Sequence, residues 1–298
     1  MHDSLDLTSL LSGLSQDCCR LFHGRGGFHP RFAHVAIDWF APVILITFYQ
    51  DCSQNETLQR DIIHLASLHD HIKTVVVQDR YLPQSPKRAV FGQLPQEPIA
   101  LENRLKYHLS LKENQNHGFF LDMSSGRRWV QNHSSCKRVL NLFAYTCSLS
   151  VAALAGEAKS VINLDMSRQA LAVGKENHLL NFTPATCQKV SYLGHNLFKT
   201  WGRLKREGPF DLIIIDPPSR QPGSFVAEKD YARIVRRLPE LSHPTTQIMA
   251  CLNSPYLGAS FLHHLFEDYQ LVTTLDPARG FADKEPERGL KSMIFEQA

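Results

Sequence analysis

Arg138–Asp165, RVLNLFAYTCSLSVAALAGEAKSVINLD, is the stretch from which the fold of this chain is read. Val139–Phe143 is an apolar run that gives way at Ala144–Ser148 to small and polar residues. The following SLSVAALAG has helical character, and Ser160–Leu164 is a second apolar run ending on Asp165. Strand, tight turn, helix, strand and acid make a βαβ unit with a ligand crevice at the carboxyl ends of its strands. Such a turn leaves backbone N–H groups at a helix N-terminus for an anionic group. An acid about twenty residues further on accepts hydrogen bonds from two ribose hydroxyls. The stretch therefore predicts a nucleoside ligand, against the plainer alternative of a βαβ core that binds nothing.

The turn FAYTCS contains no glycine and does not match G-x-G-x-x-G. A pyrophosphate pressed against bare backbone is disfavoured there, and with it a dinucleotide-dependent dehydrogenase. S-adenosylmethionine has no phosphate, and its anionic end is a single carboxylate.

The chain has 298 residues, enough for one large domain and a smaller one, with 43% hydrophobic and 20% charged residues as in a soluble globular protein. No apolar run approaches the roughly 20 residues of a membrane span, and MHDSLDLTSLLSGLSQ lacks the basic start of a signal peptide. Seven cysteines with no C-x-x-C pair argue against a zinc site and a disulfide framework, and fit reduced thiols in a cytoplasmic protein. The net charge of +3 is too small to imply nucleic acid by itself. Between Lys199 and Arg237, however, nine Lys/Arg face five Asp/Glu. That excess is either a solvated helix face or a rim that contacts phosphates, with Arg220 and Lys229 as its chief candidates.

Along the chain, residues 1–34 read as a helical arm followed by the loop LFHGRGGFHPRF. Residues 35–116 read as a small α/β domain that positions a substrate or only packs. Its strands are HVAIDWF, PVILITFYQ and KTVVVQD, its helix lies within ETLQRDIIHLASLHDHI, and LENRLKYHLSL is a final strand pair. Residues 117–298 read as the ligand-binding domain, beginning with HGFFLDMSSGRRWV, which either folds over the ligand's entrance or is a core-edge hairpin. Helices are expected in RQALAVGKENHLL, NLFKTWGRLKR, Lys229–Leu241 and Leu257–Phe266. Strands are expected at Cys187–Tyr192, Phe210–Ile215, Gln247–Leu252, Leu271–Leu275 and Lys291–Glu296.

The strand DLIIID runs into Pro217-Pro218 about fifty residues after Asp165. Two prolines fix the backbone and remove its donors, so Asp216 and the Pro217 carbonyl can both accept from one planar nitrogen group. Methyl transfer from a sulfonium already carries its charge, and much of its rate comes from positioning of this kind.

From about Glu102 onward the sequence resembles class I S-adenosylmethionine-dependent methyltransferases. Within them it looks like the bacterial large-subunit ribosomal RNA enzymes that make 5-methylcytosine or 7-methylguanine. The blocks that carry the resemblance are ENRLKYHLSL, GFFLDMSSGRRWV, VLNLFAYTCSLSVAALAG, SVINLDMS, FDLIIIDPPS with Lys229–Tyr231, and ERGLKSMIFE. It implies an α/β, Rossmann-like class I methyltransferase sheet with helices on both faces, behind a small N-terminal α/β domain. It also implies S-adenosyl-L-methionine as cofactor. Asn141, Phe143, Ala144 and Ser148 would line the methionine end, and Asp165 with Met166 the ribose and adenine. Asn196 stands where the family usually has an adenine-contacting Asp. Asp122 and Arg127 match its cofactor segment, and Asp216, Pro217 and Asn253 are the catalytic candidates.

The chain departs from the family pattern at several positions. Cys147 replaces a usual glycine of the turn, Ser124 replaces an arginine, and Arg220 replaces an aromatic after DPPS. The nucleophilic cysteine of the 5-methylcytosine enzymes falls on Asn253, while Cys251, two residues earlier, reads more readily as a core thiol. These residues predict methylation of a base nitrogen in ribosomal RNA. A protein or small-molecule acceptor, or a degenerate methyltransferase fold that only binds, are the alternatives.

Overall fold

The computed structural model describes residues 5–112, 115–221 and 225–297, apart from the side chains of residues 220 and 221. The chain forms two units. One comprises Met1–Asp122 with Ala278–Pro286, the other Met123–Pro277 with Glu287–Ala298.

The first unit begins with a short helix α1 (Leu7–Leu11), capped by the Asp6 carboxylate on the Ser9 N–H. A five-stranded sheet follows in the order β1 (Cys19–His23), β2 (Val35–Phe40), β3 (Val43–Phe48), β4 (Thr74–Asp79) and β5 (Lys87–Phe91). Only β3 and β4 are parallel, because α2 (Gln54–Ser67) carries the chain between them. Leu58, Ile62 and Ala66 of α2 bury against Ile44, Ile46, Val75 and Val77, the alternate residues on one sheet face. A hairpin of β6 (Ile99–Glu102) and β7 (Leu105–His108) completes the unit. The loop expected over Leu21–Phe32 is in part strand. β1 pairs with β2 through a bulge between Arg20 and Phe22, and this interrupted polar alternation is what hides it in the sequence.

The second unit opens with α3 (Ser124–His133), so residues 124–130 of the segment HGFFLDMSSGRRWV are helical and not a hairpin. The chain continues through β8 (Arg138–Leu142), α4 (Ser148–Ala155), β9 (Ser160–Asp165), α5 (Arg168–Leu179), α6 (Pro184–Cys187), β10 (Val190–Gly194) and α7 (Leu197–Glu207). Then come β11 (Phe210–Ile215), the short pair β12 (Arg220–Gln221) and β13 (Phe225–Val226), α8 (Ala227–Val235), β14 (Ser242–Asn253), α9 (Ala259–Leu265), β15 (Tyr269–Thr274) and β16 (Leu290–Gln297). The seven-stranded sheet has the order β10-β9-β8-β11-β14-β16-β15 and is parallel except around β16.

The order reverses between β8 and β11, which opens a crevice at their carboxyl ends. One sheet face packs Leu140, Leu142, Ile213 and Ile215 against Trp201, Tyr231, Ile234 and Leu262 of α7–α9. The other packs Val139, Val161, Leu212 and Ile214 against Val130 and Leu149–Leu154 of α3 and α4. With both faces covered, β11 reads as a continuous apolar run. Among the described residues no helix is long and apolar enough to cross a membrane.

Candidate active site

The turn after β8 is built from alternating left-handed residues. Phe143, Tyr145 and Cys147 have φ of 58°, 47° and 62°. That conformation costs a side-chain-bearing residue energy, so it persists only where the surroundings hold it. Two hydrogen bonds do so from β9: the Ala144 N–H donates to Leu164 O at 3.1 Å, and the Tyr145 N–H to Asp165 Oδ2 at 2.8 Å. Asp165 Oδ1 accepts from the Ser167 N–H at 2.7 Å. Each carboxylate oxygen thus takes one backbone donor and keeps acceptor capacity for one more. Asp165 fixes the turn as well as facing the crevice, a second task its position in the sequence does not reveal.

Cys147 fits where a glycine is usual because α5 makes room for it. A Cβ on Gly174 would stand 2.4 Å from the Cys147 sulfur. Burial, and then the charge of Asp165, push the Cys147 thiol well above its ordinary pKa, so it is a packing group. Beyond it, α4 begins with no side chain capping its first N–H groups, an arrangement suited to a carboxylate.

Behind the turn lies a buried polar chain. Asn141 Nδ2 donates to Asn163 Oδ1 and Asn163 Nδ2 to Ser150 Oγ, both at 2.9 Å, and Ser150 Oγ meets His178 Nε2 at 2.9 Å. The Tyr192 hydroxyl lies 3.0 Å from His178 Nδ1. Burial pushes His178 below its usual pKa, which keeps the imidazole neutral. The chain ties β8, β9, α4 and α5 together and so sets the turn's position. Of these groups only Asn141 is a candidate from the sequence. The signal for the rest was a serine within the otherwise apolar helix SLSVAALA and an asparagine at an inward position of SVINLD. Asn141 Oδ1 is buried without a hydrogen-bond partner.

Met166, exposed after β9, meets Asn196, whose Nδ2 is 3.6 Å from the Met166 sulfur. Asn196 Oδ1 caps α7 through the Phe198 N–H at 2.9 Å. Register pairs Gly194 with Asp165, so Asp165, Met166 and Asn196 share one end of the sheet. Phe143 sits edge-on to Phe225 at 5.0 Å, Ala144 is buried, and Ser148 opens α4. Arg127 is buried in α3 of the second unit, whereas Asp122 is the last residue of the first.

The Asp216–Pro217 segment follows β11, and Tyr231 braces it. The Tyr231 hydroxyl donates toward Ile215 O at 3.4 Å and Cys251 O at 3.2 Å, near the carboxyl ends of two neighbouring strands. Ser219 Oγ donates to Asn253 O, which ties the proline loop to the end of β14. Ser219 and Tyr231 stand in recognisable blocks, DPPS and KDY, but only the coordinates show this bracing. Lys291 holds the next loop by donating to Ser254 O at 2.8 Å and Glu287 O at 2.7 Å. Cys251 is fully buried with its sulfur 3.6 Å from Ser292 Oγ.

An unsatisfied buried acceptor, an uncapped helix N-terminus, a carboxylate with spare lone pairs and a thioether–amide pair suit a sulfonium nucleoside with an amino-acid end. The sequence profile of the S-adenosylmethionine-dependent methyltransferases matches residues 19–296. The chain belongs to that family.

Among this chain's relatives is the ribosomal RNA large subunit methyltransferase I of Aeromonas salmonicida. It is 35% identical over 131 residues, 43% of this chain and 33% of that protein. The large subunit methyltransferase K/L of Psychrobacter cryohalolentis is 31% identical over 189 residues, 61% of this chain and 24% of that protein. The matches thus span a third or less of these relatives' length. A solved Streptococcus mutans structure assigned to the S-adenosylmethionine-dependent methyltransferases shares the fold. Its TM-score is 0.82 at 23% identity, covering 98% of this chain and 82% of that one.

The basic stretch looks different in three dimensions. Arg203 pairs with Glu207, Lys205 and Arg237 with Glu240, and Arg233 with Asp230, so four of its cations are matched by local acids. Lys229 is exposed on α8, and the Arg220 side chain lies outside the described residues.

Proposed function

We propose that this chain transfers a methyl group from S-adenosylmethionine to a base nitrogen in ribosomal RNA. The observation that carries the proposal is the Ser219–Asn253 bond, which holds Asp216, Pro217 and Asn253 at one end of the sheet. Asp216 and the Pro217 carbonyl accept hydrogen bonds, and the Asn253 amide offers an acceptor and two donors. A guanine edge, with carbonyl and amino groups side by side, meets that combination.

When bound, the cofactor supplies an electrophilic methyl on a cationic sulfur. Asp165 would hold its ribose hydroxyls, Met166 and Asn196 its adenine, and the α4 N-terminus with Asn141, Phe143, Ala144 and Ser148 its methionine end. Asp122, Arg127 and Asp216 complete the proposed set. Asp216 and Pro217 then orient the acceptor nitrogen, and positioning supplies most of the rate. Methylation at carbon-5 of cytosine needs a thiolate to attack carbon-6. The buried Cys251 sulfur, turned to Ser292, and an amide at Asn253 are poorly suited to that step. The names of the Aeromonas and Psychrobacter relatives support ribosomal RNA as the acceptor.

Mass spectrometry of ribosomal RNA from a deletion strain, with rescue, tests the proposal. One methylated base should disappear and return with the wild-type gene. Asp216→Ala should lower methyl transfer about 10²-fold or more, as expected for loss of a positioning group. Unchanged RNA in the deletion strain would refute the substrate. A covalent adduct through Cys251 on 5-fluorocytosine RNA would refute the nitrogen acceptor.

A further inference from the structure

The first unit carries charge of another kind at the carboxyl ends of its parallel strands. Tyr49 and Arg80 directly follow β3 and β4, and their N–H groups extend the sheet's hydrogen bonding, to His34 O and Phe48 O, each at 2.8 Å. The Arg80 guanidinium lies over the Tyr49 ring at 5.7 Å, and that of Arg25, from the loop after β1, at 4.8 Å. Neither arginine makes an ion pair or side-chain hydrogen bond among the described residues. Lys87 opens β5 beside them and donates to Ser110 O at 3.1 Å. Burial above all, and then the charge of Arg80, pushes its pKa down to about 8.

Two of the acids nearby are already paired. Asp38 is taken by Arg20, in two bonds of 2.6 and 3.0 Å, and Asp79 by Arg88 at 3.5 Å, while Asp51 is exposed. Two further polar atoms of this unit, Gln78 Oε1 near the end of β4 and His117 Nδ1, are buried without partners. Phe28 and Tyr81, close in sequence to Arg25 and Arg80, expose their rings.

A guanidinium stacked on an aromatic face is held in orientation while its N–H edge stays available, and that planar edge matches a phosphate. Guanidinium forks and a lysine among exposed aromatics suit a phosphodiester chain whose bases are unstacked. We infer that the ends of β3 and β4, through Arg25, Arg80 and Lys87 with Tyr49 as their positioning residue, bind the backbone of the RNA substrate. The inference rests on the proposed RNA acceptor and gives it a location. It also gives residues 35–116 the task of holding substrate.

The test is titration of the full chain with a short, labelled, mixed-sequence single-stranded RNA over a series of salt concentrations. Calorimetry with S-adenosylhomocysteine serves as the check on folding. Relative to wild type, R25Q/R80Q should bind RNA about tenfold more weakly. Its slope of log affinity against log salt should be shallower by about 1.4, the value for two lost phosphate contacts on a single strand. Cofactor-product affinity should not change. R25K/R80K should restore the slope but not the full affinity, and Tyr49→Leu should weaken binding with the charges intact. Wild-type affinity and slope in R25Q/R80Q would overturn this inference and leave the RNA acceptor standing. Absence of RNA binding by wild type would sink both. Equal affinity for polyglutamate would overturn RNA as the partner of this surface.

Discussion

The two sheets of this chain end in different chemistry. In the second unit the strand ends carry carboxylates and amides, each pinned by backbone: Asp165 by two N–H groups, Asn196 by a helix cap, the proline loop by Ser219. In the first unit they carry guanidinium groups resting on one ring. Fixed acceptors distinguish one small ligand by its hydrogen bonds, whereas stacked cations answer to charge along a polymer. The cation count in the sequence left residues 199–237 as either a solvated face or an RNA rim. Four of those cations are matched by nearby acids, whereas Lys229 is exposed and Arg25 and Arg80 make no ion pair among the described residues.

The largest effect short of the chemistry itself belongs to Asp165. Asp165→Ala removes both the ribose acceptor and the anchor of Tyr145. It should cost cofactor binding on the order of 1–3 kcal/mol, with the sheet intact. Calorimetry with S-adenosylhomocysteine reads this directly, and unchanged affinity would remove the nucleoside site from this end of the sheet.

Gly174→Ala comes next. Its Cβ would fall 2.4 Å from the Cys147 sulfur, so overpacking should destabilise the second unit by about 1–3 kcal/mol. Adding Cys147→Gly vacates the space at a position whose φ of 62° favours glycine, and the double variant should recover most of the loss. Additive effects in that double-mutant cycle would mean that the two residues do not share the space.

Acid should separate the units by a smaller margin. Burial lowers His23 and His117 of the first unit from 6.5 to about 4. Between those values the unfolded chain binds more protons than the folded one. Stability is therefore complete above pH 6.5 and is lost as pH falls toward 4. Among the described residues of the second unit, burial lowers one such group, His178. Hydrogen exchange along a pH series should show residues 19–122 opening first, and His117→Phe should flatten their response. Earlier opening of residues 138–253 would reverse the comparison.

Smallest of all should be Cys251→Ser. Its sulfur is fully buried in an apolar cluster, 3.6 Å from Ser292 Oγ, so methyl transfer should stay within about twofold of wild type, with a modest fall in melting temperature. Loss of activity comparable to Asp216→Ala would return Cys251 to the reaction.

The βαβ unit, the strand into Asp216 and the sheet with helices on both faces were legible because each rests on local pattern. An apolar run, a turn and an acid at set spacing need no knowledge of distant residues. The space at Gly174 for Cys147 was not legible, since it joins residues on different elements through shape alone. Nor was β1, whose bulge breaks the alternation that marks a strand. In HGFFLDMSSGRRWV the hairpin alternative missed that Gly126 and Val130 bury at helical spacing in α3. The state of the basic stretch depended on which acids lay beside each cation, one turn away or, for Lys205 and Glu240, on another element, information that a charge count averages out.

The place of β16 has a consequence for how this protein is made. Residues 290–297 lie between β14 and β15, and residues 278–286 belong to the first unit. A ribosome that has translated as far as β15 has therefore delivered neither unit whole. β14 and β15 wait with an unfilled gap between them, each offering an unpaired edge of the kind that templates association with other chains. Domains commonly fold one after another as synthesis proceeds. Here the first unit is complete only once residue 286 is made and the second only once β16 follows, so the two close in quick succession, and the interval before β16 is when the nascent chain most needs protection.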